Sequence, residues 1–439
     1  MIIMKFGGTS VGNAERIANV ANIVKSSMKR SPVVVVSAVT KITDALIRLA
    51  KECAQGKGNK TLGHIKKTHY EILARLKINK KLLDEDIKEL ESLFKMAKSG
   101  KIIDDRILDH FQSFGERMSS KIVAAQLNKM GIKSQAFDSW ELGFLTNDEF
   151  GEAEPLDTIY SSLNKNIKKL RVMPVITGFI GKTENGEITT LGRGGSDYTA
   201  AIIGAAVNAD EIQIWTDVNG IMSTDPKTVV NAKTLDKVSF AEASELAYFG
   251  ARVLHPKTIL PAMKRNIPVK VLNSLNPREK GTTIVSRPYK NSNAVKAIAY
   301  KKNITMVNID STRMLGAYGF LARVFDIFDD YKKSIDVVST SEVSVSLTID
   351  NEESISPIVR ELKDIADVQI KKSKAIICIV GEGMRHTPGI AGRTFMALGK
   401  NKVNIEMISQ GASEINITFI VDGKDAEKAV KILHEEYYG

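Results

Sequence analysis

Two short glycine-bearing stretches carry side chains that could bind an anion. Residues 5–10 read Lys-Phe-Gly-Gly-Thr-Ser, and residues 191–197 read Leu-Gly-Arg-Gly-Gly-Ser-Asp. In both, apolar residues typical of a strand lead into glycines and hydroxyls, and a helical pattern follows. Such a turn directs free backbone N–H groups and a helix N-terminus at an anion, usually a phosphate. Lys5 and Arg193 each add a cation, so each stretch is a candidate phosphate-binding site. Together with what lies between and after them, the two stretches indicate a kinase that acts on a small acidic metabolite.

The elements around these stretches alternate between short apolar runs and helical patterns, which is typical of α/β domains. Residues 2–6 and 32–36 are predicted strands, and the loop after each lies at a strand's carboxyl end, where α/β sheets bind ligands. Residues 61–130 are largely helical, and further strands are predicted near 133–137, 172–178, 187–191, 211–215, 269–273 and 282–285. Charged segments at 276–280 and 287–293 indicate the exit from a first domain spanning residues 1–290.

The rest of the chain repeats a β-α-β-β-α unit, which is typical of paired ligand-sensing modules. Ser339-Thr340-Ser341-Glu342-Val343 in one copy is echoed by residues 409–414 in the other. We expect one small α+β domain over 301–370, which begins with a predicted strand at 304–310, and a second over 371–439. The second copy lacks its last strand, so we infer that the strand at 294–300 completes it and that the first copy is an insertion.

Composition excludes several classes of protein. The 439 residues are 43% hydrophobic, enough for two or three domains, and no signal peptide or transmembrane run is predicted. The net charge is +11, but acidic residues interrupt the lysine-rich helical region and nothing resembles a nucleic-acid-binding surface. Cys53 and Cys378 lie far apart without CxxC or histidine neighbours, so we expect neither a disulfide nor a protein-bound metal, and a cytoplasmic location.

Several longer motifs carry a family resemblance. The strings KFGGTSVGNAERI, SAVTKITD, FGERMSS, LGRGGSDYTA, WTDVNGIMSTDPK, FGARVLHP and GFLARVF with TSEVSVSLTID occur in this order. Together they resemble the aspartokinases over nearly the whole chain. The resemblance implies an amino-acid-kinase (carbamate-kinase-like) αβα sandwich followed by two ferredoxin-like ACT domains. It also implies ATP- and Mg²⁺-dependent phosphorylation of the side-chain carboxylate of L-aspartate, the first step towards lysine, threonine and methionine.

The chemistry expected of these residues agrees with the resemblance. A carboxylate acceptor is already ionised at neutral pH, so phosphoryl transfer to it depends on positioning two anions and offsetting their charge. Lys5 is the candidate for bridging the transferring phosphoryl, and Arg193 could hold the α-carboxylate of aspartate with its planar fork. The predicted catalytic residues are Lys5, Gly8 and Asp197, and the predicted substrate-binding residues are Ser37, Thr43, Glu116, Arg193, Gly194, Gly195 and Ser196.

Each of these residues also has a simpler interpretation. Lys5 could only end a strand, and Asp197 could be an N-cap or a first-turn acid. Glu116 could be a solvated helix acid, and Thr43 could be the N-cap of the helix that follows. The family motif favours the functional alternative: relatives use the residue that matches Glu116 to bind substrate, and the residue that matches Asp197 to organise the substrate amine and the lysine.

For the nucleotide, the resemblance implies contacts from Lys5, Gly7, Gly8, Thr216, Asp217, Met222, Lys227, Arg252 and Val253. Met222 stands where many relatives have an aromatic residue, which puts stacking on adenine in doubt. Arg252 stands where lysine is frequent and still donates to phosphate. His255 is expected to be structural. The glycines at 381–383 lack the third glycine of a dinucleotide loop, so no Rossmann site is expected there.

The resemblance places an amino-acid effector, L-lysine, at the first ACT unit. The predicted lining residues are Met314, Gly319, Phe320, Leu321, Asp336, Ser341 and Glu342. Asp336 and Glu342 could receive a cationic group, which favours lysine over threonine. Ala317 replaces a polar residue of lysine-sensitive relatives, so weaker sensitivity is expected. ACT domains generally pair across subunits, which implies a homodimer or a higher oligomer.

Two other functions stay open at this point. The chain could be a different amino-acid-kinase relative, such as a glutamate or nucleotide-monophosphate kinase, although Glu116, Arg193 and the paired C-terminal units argue against it. It could also be a non-catalytic sensor of amino acids or a nucleic-acid-binding regulator, although the intact Lys5, Arg193 and Asp197 oppose a dead kinase.

Overall fold

The structure is a computed structural model that describes residues 1–249, 256–287, 294–311, 318–350, 355–411 and 415–439. Two compact units share the chain. The first comprises Met1–Ile221, Asp236–Phe240 and Val253–Arg287, and the second comprises Met222–Leu235, Ala241–Arg252 and Pro288–Gly439. Two segments before residue 290 thus group with the C-terminal unit, whereas the sequence predicted a single domain boundary near residue 290. The domain limits given above stay a prediction.

The first unit is built on an eight-stranded, mostly parallel sheet. The strands of this unit, including a small β5–β6 hairpin, are β1 (Ile2–Phe6), β2 (Pro32–Val36), β3 (Ser134–Phe137), β4 (Met173–Thr177), β5 (Ile180–Lys182), β6 (Ile188–Thr190), β7 (Glu211–Thr216), β8 (Lys237–Ser239), β9 (Val269–Asn273) and β10 (Thr282–Val285). The sheet order is β3-β4-β2-β1-β7-β9-β10-β8, and only the β9–β10 pair is antiparallel. Its central strands are buried apolar runs, as parallel sheets covered on both faces require.

Helices cover both faces of this sheet. They are α1 (Ala14–Ser26), α2 (Ile42–Ala54), α3 (Asn59–Leu76), α4 (Asp84–Gly100), α5 (Asp105–Lys129), α6 (Ile159–Lys169), α7 (Gly195–Val207) and α9 (Pro256–Lys264). A further helix, α8 (Phe240–Tyr248), belongs to the second unit from residue 241 onward. Ile2, Met4 and Phe6 pack with α1–α5, whereas Ile3 faces α7 at Gly204. Because alternate residues of a strand point to opposite faces, Lys5 shares the face of Ile3 and α7. The first unit is the αβα sandwich that the resemblance implied.

The second unit contains one six-stranded antiparallel sheet with the order β12-β13-β11-β14-β16-β15. The strands and helices are β11 (Ala297–Asp310), α10 (Phe320–Asp330), β12 (Val338–Thr340), β13 (Ser344–Ile349), α11 (Ile355–Lys363), β14 (Asp367–Val380), α12 (Ile390–Lys400), β15 (Met407–Ser409), β16 (Asn416–Asp422) and α13 (Ala426–Tyr438). This repeated βαβ pattern is the ferredoxin-like architecture expected of two ACT units.

Strands β11 and β14 are long because each runs through both halves of this sheet. The amino-terminal part of β11, Ala297–Lys302, pairs with Ala375–Val380, and its remainder pairs with Asp367–Lys374 and with β13. The sequence predicted separate strands over 294–300 and 304–310, but the structure joins them across a bulge near Asn303, which has a positive φ of 61°. Two hydrophobic cores, one for each half, lie beneath the helices.

Candidate active site

The candidate site lies where the parallel strands end. Because β2, β1 and β7 run parallel and adjacent, their carboxyl ends meet at one edge of the sheet. Residue 5 on β1 pairs with Val35 and Ile214, and the two glycines after β1 follow directly. The loop after β2 begins at Ser37, whose N–H donates to the Phe6 carbonyl (3.1 Å). The predicted residues of this edge therefore come from neighbouring strands.

Lys5 meets Asp197 across the face that α7 covers. Helix α7 begins after Gly194, whose φ of 74° lies in the left-handed region, so Asp197 falls in the first turn. The Lys5 ammonium lies 2.6 Å from the Asp197 carboxylate, and the two side chains are only 11% and 14% exposed. A nearly buried pair of this kind holds the lysine in one orientation at the end of its strand. Asp197 is also a first-turn acid of α7, as the simpler interpretation predicted, and its catalytic role stays a prediction.

Glu116 is buried on α5 next to the loop after β2. A side chain at the preceding Gly115 would put its Cβ 2.6 Å from the Ala38 Cβ, so only glycine lets the helix approach so closely. The backbone N–H of Ala38 then donates to Glu116 Oε1 (3.0 Å). The other oxygen, Oε2, is buried without a hydrogen-bond partner in the described part of the chain. The interpretation of Glu116 as a solvated acid is therefore wrong, because its side chain is 3% exposed.

Burial decides the ionisation of Glu116. Removal from water raises the pKa of this carboxyl to about 8, and the Ala38 N–H and the positive charge of Lys5 only partly oppose that shift. A carboxyl of this kind has one oxygen free and gains most from a cationic ligand that ionises it. An α-ammonium group is such a ligand.

Hydrogen bonds and close approaches tie the first glycine loop to its neighbours. The Gly7 N–H donates to the Trp215 carbonyl (3.1 Å), and the Thr40 hydroxyl donates to the Gly8 carbonyl (2.7 Å). A Cβ at Gly8 would lie 3.0 Å from the Ala38 carbonyl. No acceptor within the described ranges takes the N–H groups of Gly8 and Thr9. The loop therefore offers backbone donors next to Lys5, as anion binding requires.

The second glycine loop carries an available cation. Arg193 is exposed, and its guanidinium forms no ion pair or hydrogen bond with a residue that the structure describes. Ser196 is buried because Gly178, directly after β4, leaves room for it; a Cβ at residue 178 would lie 2.6 Å from the Ser196 Cβ. Gly195 donates its N–H to the Gly192 carbonyl (3.0 Å), which closes the turn that presents Arg193.

Thr43 does not cap α2. The N-cap is Lys41, with a φ of 64° and no side-chain hydrogen bond, and Thr43 is the second helical residue. The interpretation of Thr43 as an N-cap is therefore wrong. Both Thr43 and Ser37 are half-buried, so their hydroxyls stay partly accessible. Their contact with substrate stays a prediction.

The predicted nucleotide residues are only partly placed. Thr216 ends β7, and its hydroxyl donates to Asp217 (3.2 Å), an exposed acid at the same sheet edge. Met222 and Lys227 belong to the second unit, where Met222 bridges to Thr234. Arg252, Val253 and His255 lie outside the described residues, so their predicted roles stay predictions.

The predicted effector residues lie at two places in the first ACT half. Gly319, with a φ of 82°, is the N-cap of α10, and Phe320 and Leu321 begin that helix. Ser341 and Glu342 form the exposed turn between β12 and β13. Asp336 precedes β12, and Met314 and Ala317 lie outside the described residues.

Asp336 is already partnered. Its Oδ1 accepts from the Tyr248 hydroxyl (2.9 Å) and lies 3.6 Å from the Lys301 ammonium, which also pairs with Asp350. Its Oδ2 is buried without a hydrogen-bond partner among the described residues. Burial and the neighbouring Asp350 raise the pKa of Asp336 to about 6, although Lys301 opposes the shift. The acid is therefore held in place on one side and unsatisfied on the other.

Sequence reasoning missed the residues that bring these loops together. Gly115, Gly178 and Thr40 bind no predicted ligand, but they set the distances between Glu116, Ser196 and Gly8. The only sequence signals were a glycine before the acid in FGER and a glycine directly after a predicted strand. What each glycine packs against depends on the tertiary contacts.

Comparison with known proteins agrees with this geometry. The model of the amino acid kinase family matches residues 1–273, and an ACT domain model matches residues 377–437. The chain is 41% identical to aspartokinase 1, chloroplastic, of Arabidopsis thaliana over 99% of this chain and 80% of the relative. It is 37% identical to lysine-sensitive aspartokinase 3 of Escherichia coli over 100% of this chain and 99% of the relative.

Solved structures agree over the whole length. E. coli aspartokinase III in complex with aspartate and ADP (R-state) superposes with a TM-score of 0.86 at 36% identity, covering 100% of both chains. The same enzyme in complex with lysine and aspartate (T-state) gives a TM-score of 0.84, again at 36% identity and 100% coverage of both chains. The chain therefore belongs to the amino acid kinase family, as an aspartokinase in which ACT domains follow the kinase domain.

Proposed function

We propose that this aspartokinase transfers the γ-phosphoryl group of ATP to the side-chain carboxylate of L-aspartate, giving 4-phospho-L-aspartate and ADP. The observation that carries the proposal is the charge arrangement at the sheet edge. The Lys5–Asp197 pair and the partly unsatisfied Glu116 are held in place, and Arg193 leaves its guanidinium available. A dicarboxylate with an ammonium group and a polyphosphate together complement these charges.

Each group then has a distinct task. The guanidinium of Arg193 holds the α-carboxylate, and Glu116 Oε2 accepts from the α-ammonium, which leaves the side-chain carboxylate facing the nucleotide. Lys5 and the backbone donors of Gly8 and Thr9 stabilise the charge on the transferring phosphoryl. No general base is required, because the acceptor oxygen is ionised before it attacks. Asp197 keeps the lysine in position while the phosphoryl moves.

Mg²⁺ is proposed to enter with the nucleotide. Within the described residues no group of three histidine, cysteine, aspartate or glutamate side chains could form a protein cage for a metal. Magnesium usually keeps water and phosphate oxygens as ligands and needs only one or two carboxylates, so such a site fits MgATP. When bound, the ion would offset charge on the β- and γ-phosphate oxygens.

L-Lysine is the proposed effector, bound in the first ACT half. The partly unsatisfied carboxylate of Asp336 and the exposed Glu342 support a cationic ligand. The E. coli relatives that are named lysine-sensitive and solved with lysine support the same choice. We also propose a homodimer or a higher homo-oligomer through the ACT halves, because ACT domains generally pair across subunits. Effector binding would then shift the assembly towards one of two arrangements.

The location is a further part of the proposal. No described helix is long and apolar enough to cross a membrane. We place the enzyme in the cytoplasm on the evidence of its cysteines, although the named Arabidopsis relatives are chloroplastic. Cys53 and Cys378 are buried free thiols, as a reducing compartment favours.

One coupled assay tests the proposal. ADP release is measured with ATP and Mg²⁺ against L-aspartate, L-glutamate and UMP, each with and without L-lysine or L-threonine. We expect release that depends on L-aspartate and falls with L-lysine. Release that depends on glutamate or UMP instead would overturn the substrate, and inhibition by threonine alone would overturn the effector.

A further inference from the structure

A buried carboxylate that the mechanism does not use lies on α5. Asp109 is 0% exposed and seven residues before Glu116, two helical turns along the same face. Its Oδ2 accepts from the N–H groups of Gly151 (2.9 Å) and Thr190 (2.8 Å), and its Oδ1 accepts from the Thr190 hydroxyl (2.7 Å). The Gln112 side-chain amide on the same helix also donates to Oδ1, at 3.5 Å. A fully buried acid with these bonds fixes the two backbone segments that donate to it.

The fixed backbone leads directly into the loop of Arg193. Thr190 ends β6, and Leu191 donates its N–H to the carbonyl of Phe179 (2.9 Å), a residue with a positive φ of 67°. The Thr190 carbonyl also accepts from the Ala153 N–H (2.9 Å). Segments 151–153 and 190–192 are therefore connected directly by this bond and indirectly through Asp109. A Cβ at Gly192 would lie 3.2 Å from the Gly151 carbonyl, which shows how closely the segments pack.

Helix α5 therefore carries both Glu116 and the residue that fixes the base of the Arg193 loop, Asp109. Glu116 lies on α5 itself, and Asp109 lies about 10 Å away along the helix axis at 1.5 Å per residue. Through Thr190 and Gly151, Asp109 determines where the turn at residues 192–195 begins. The Arg193 side chain makes no polar contact with a described residue, so the base of its loop determines its position.

We propose that Asp109 is a positioning residue that sets the place of Arg193 relative to Glu116, and hence the fit of an amino acid carrying a carboxylate and an ammonium. The inference rests on the proposed function, which assigns these two residues to the two ends of the substrate. Asp109 touches neither substrate nor nucleotide. Its loss should act on the amino-acid substrate and leave the nucleotide contacts at β1 and β7 in place.

The test compares Asp109→Ala with Asp109→Asn and Thr190→Val in the full-length enzyme. An asparagine can present its oxygen to the two N–H groups and its amide to the Thr190 hydroxyl, so it should keep the arrangement. We expect Asp109→Ala to raise the KM for L-aspartate by roughly 10- to 100-fold, the usual consequence of a small misplacement. The KM for ATP should change by less than about twofold, and Asp109→Asn should restore aspartate binding to within about threefold. Thr190→Val should fall between them.

A second measurement does not depend on turnover. Trypsin cleavage after Arg193, followed by mass spectrometry, should quicken in Asp109→Ala relative to cleavage elsewhere in the chain. Asp105→Ala, an exposed acid on the same helix, is the matched control and should leave both measurements unchanged.

The outcomes separate the inference from the function. If the wild-type enzyme shows no aspartate-dependent ADP release, the proposed function fails. If it does, and Asp109→Ala leaves the KM for aspartate and the cleavage at Arg193 unchanged, the inference alone is overturned. Equal loss in Asp109→Ala and Asp109→Asn, with both KM values raised together, also overturns it, because a general loss of packing would then be the cause. If Asp109→Ala does not fold, an unchanged aspartate KM in Thr190→Val decides against the proposal.

Discussion

The two candidate ligand sites of this chain treat charge differently. At the candidate kinase site, Lys5 and Asp197 are paired and nearly buried, and tight glycine contacts fix the loops around them. At the candidate effector site, Asp336 is buried against Tyr248 and Lys301, whereas Glu342 and Leu321 are exposed. Under the proposed function, the first site binds its ligands with groups that are already oriented, and the second exchanges existing partners of Asp336 for a ligand.

The difference matches what each site has to do. A site for phosphoryl transfer gains from donors that are already oriented, because they need no reorganisation during the reaction. A regulatory site has to bind one arrangement of the protein better than another, so its ligand must compete with contacts that stabilise the alternative. Under the proposed function, the bonds of Asp336 to Tyr248 and Lys301 are the candidates for such contacts. The predictions below test whether this contrast holds, beginning with the largest effect.

Lys5→Ala should produce the largest loss. A preorganised cation at the transferring phosphoryl is worth about 3–4 kcal/mol, so kcat should fall by roughly 10²- to 10³-fold with smaller changes in either KM. Steady-state kinetics with both substrates varied measures this. Lys25→Ala, the exposed lysine in the last turn of α1, is the control. A variant of Lys5 that keeps most of its turnover would show that the lysine only ends a strand.

Arg193→Ala should act on substrate binding. Loss of the carboxylate partner should weaken the binding of L-aspartate by about 2–4 kcal/mol, so the KM for L-aspartate should rise roughly 30- to 1000-fold. The KM for ATP should change little. Arg193→Lys keeps the charge without the planar fork and should recover only part of the loss. Normal aspartate kinetics in Arg193→Ala would contradict the assignment.

Glu116 should make the enzyme sensitive to pH. Its pKa of about 8 in the folded protein lies above the ordinary value of 4.5, so the folded state binds the proton more tightly. Its contribution to stability is therefore lost as pH rises towards 8, and Glu116→Gln should flatten that part of the profile of Tm against pH. The ionised form should bind the substrate ammonium, so kcat/KM for aspartate in the wild type should rise on the order of tenfold between pH 6.5 and 8. A flat wild-type profile would argue against this role.

Glu342→Ala should weaken inhibition by L-lysine. Removing one of the two proposed anionic partners should raise the half-inhibitory lysine concentration by about tenfold, taken relative to each variant's own uninhibited rate. Asp364→Ala removes an exposed acid from the same half and serves as the control. Unchanged lysine inhibition in Glu342→Ala would exclude this turn from the effector site.

Tyr248→Phe should give the smallest change and the most direct test of the contrast. Removing the hydroxyl frees Asp336 of one competing hydrogen bond, worth about 0.5–1.5 kcal/mol, so lysine should inhibit at several-fold lower concentration. Tyr331→Phe, which loses a hydroxyl bonded to Glu361 in the same half, should leave inhibition unchanged. Weaker inhibition in Tyr248→Phe would mean that the hydroxyl prepares the site rather than competing for it.

Local order was well predicted. Strands β1, β2, β9 and β10 match their predicted limits. Apolar runs, caps and glycines decide these features within a few residues of chain, so the pattern alone is enough. The same holds for the placement of Lys5 near the end of β1 and of Arg193 in the loop after β6.

Strand pairing between segments that are far apart in the sequence was not predicted. The chain pattern gave two short strands at 294–300 and 304–310, but cross-strand pairing with β14 makes them one strand of 14 residues. The ending of a strand depends on its neighbours as well as on its own residues, because the ladder hydrogen bonds come from another segment. The grouping of Met222–Leu235 and Ala241–Arg252 with the C-terminal unit likewise depends on tertiary contacts and not on sequence position.

The sequence by itself determined which side chains could do the chemistry, namely the lysine, the arginine and the acids of the family motifs. Only the tertiary structure decided the protonation states of these side chains and the distances between them. Glu116 becomes a weak acid because α5 buries it against Ala38, and Asp109 becomes a positioning candidate because Thr190 and Gly151 meet it from far along the chain. Desolvation and hydrogen-bond partners depend on what the fold brings into contact, and no local pattern carries that information.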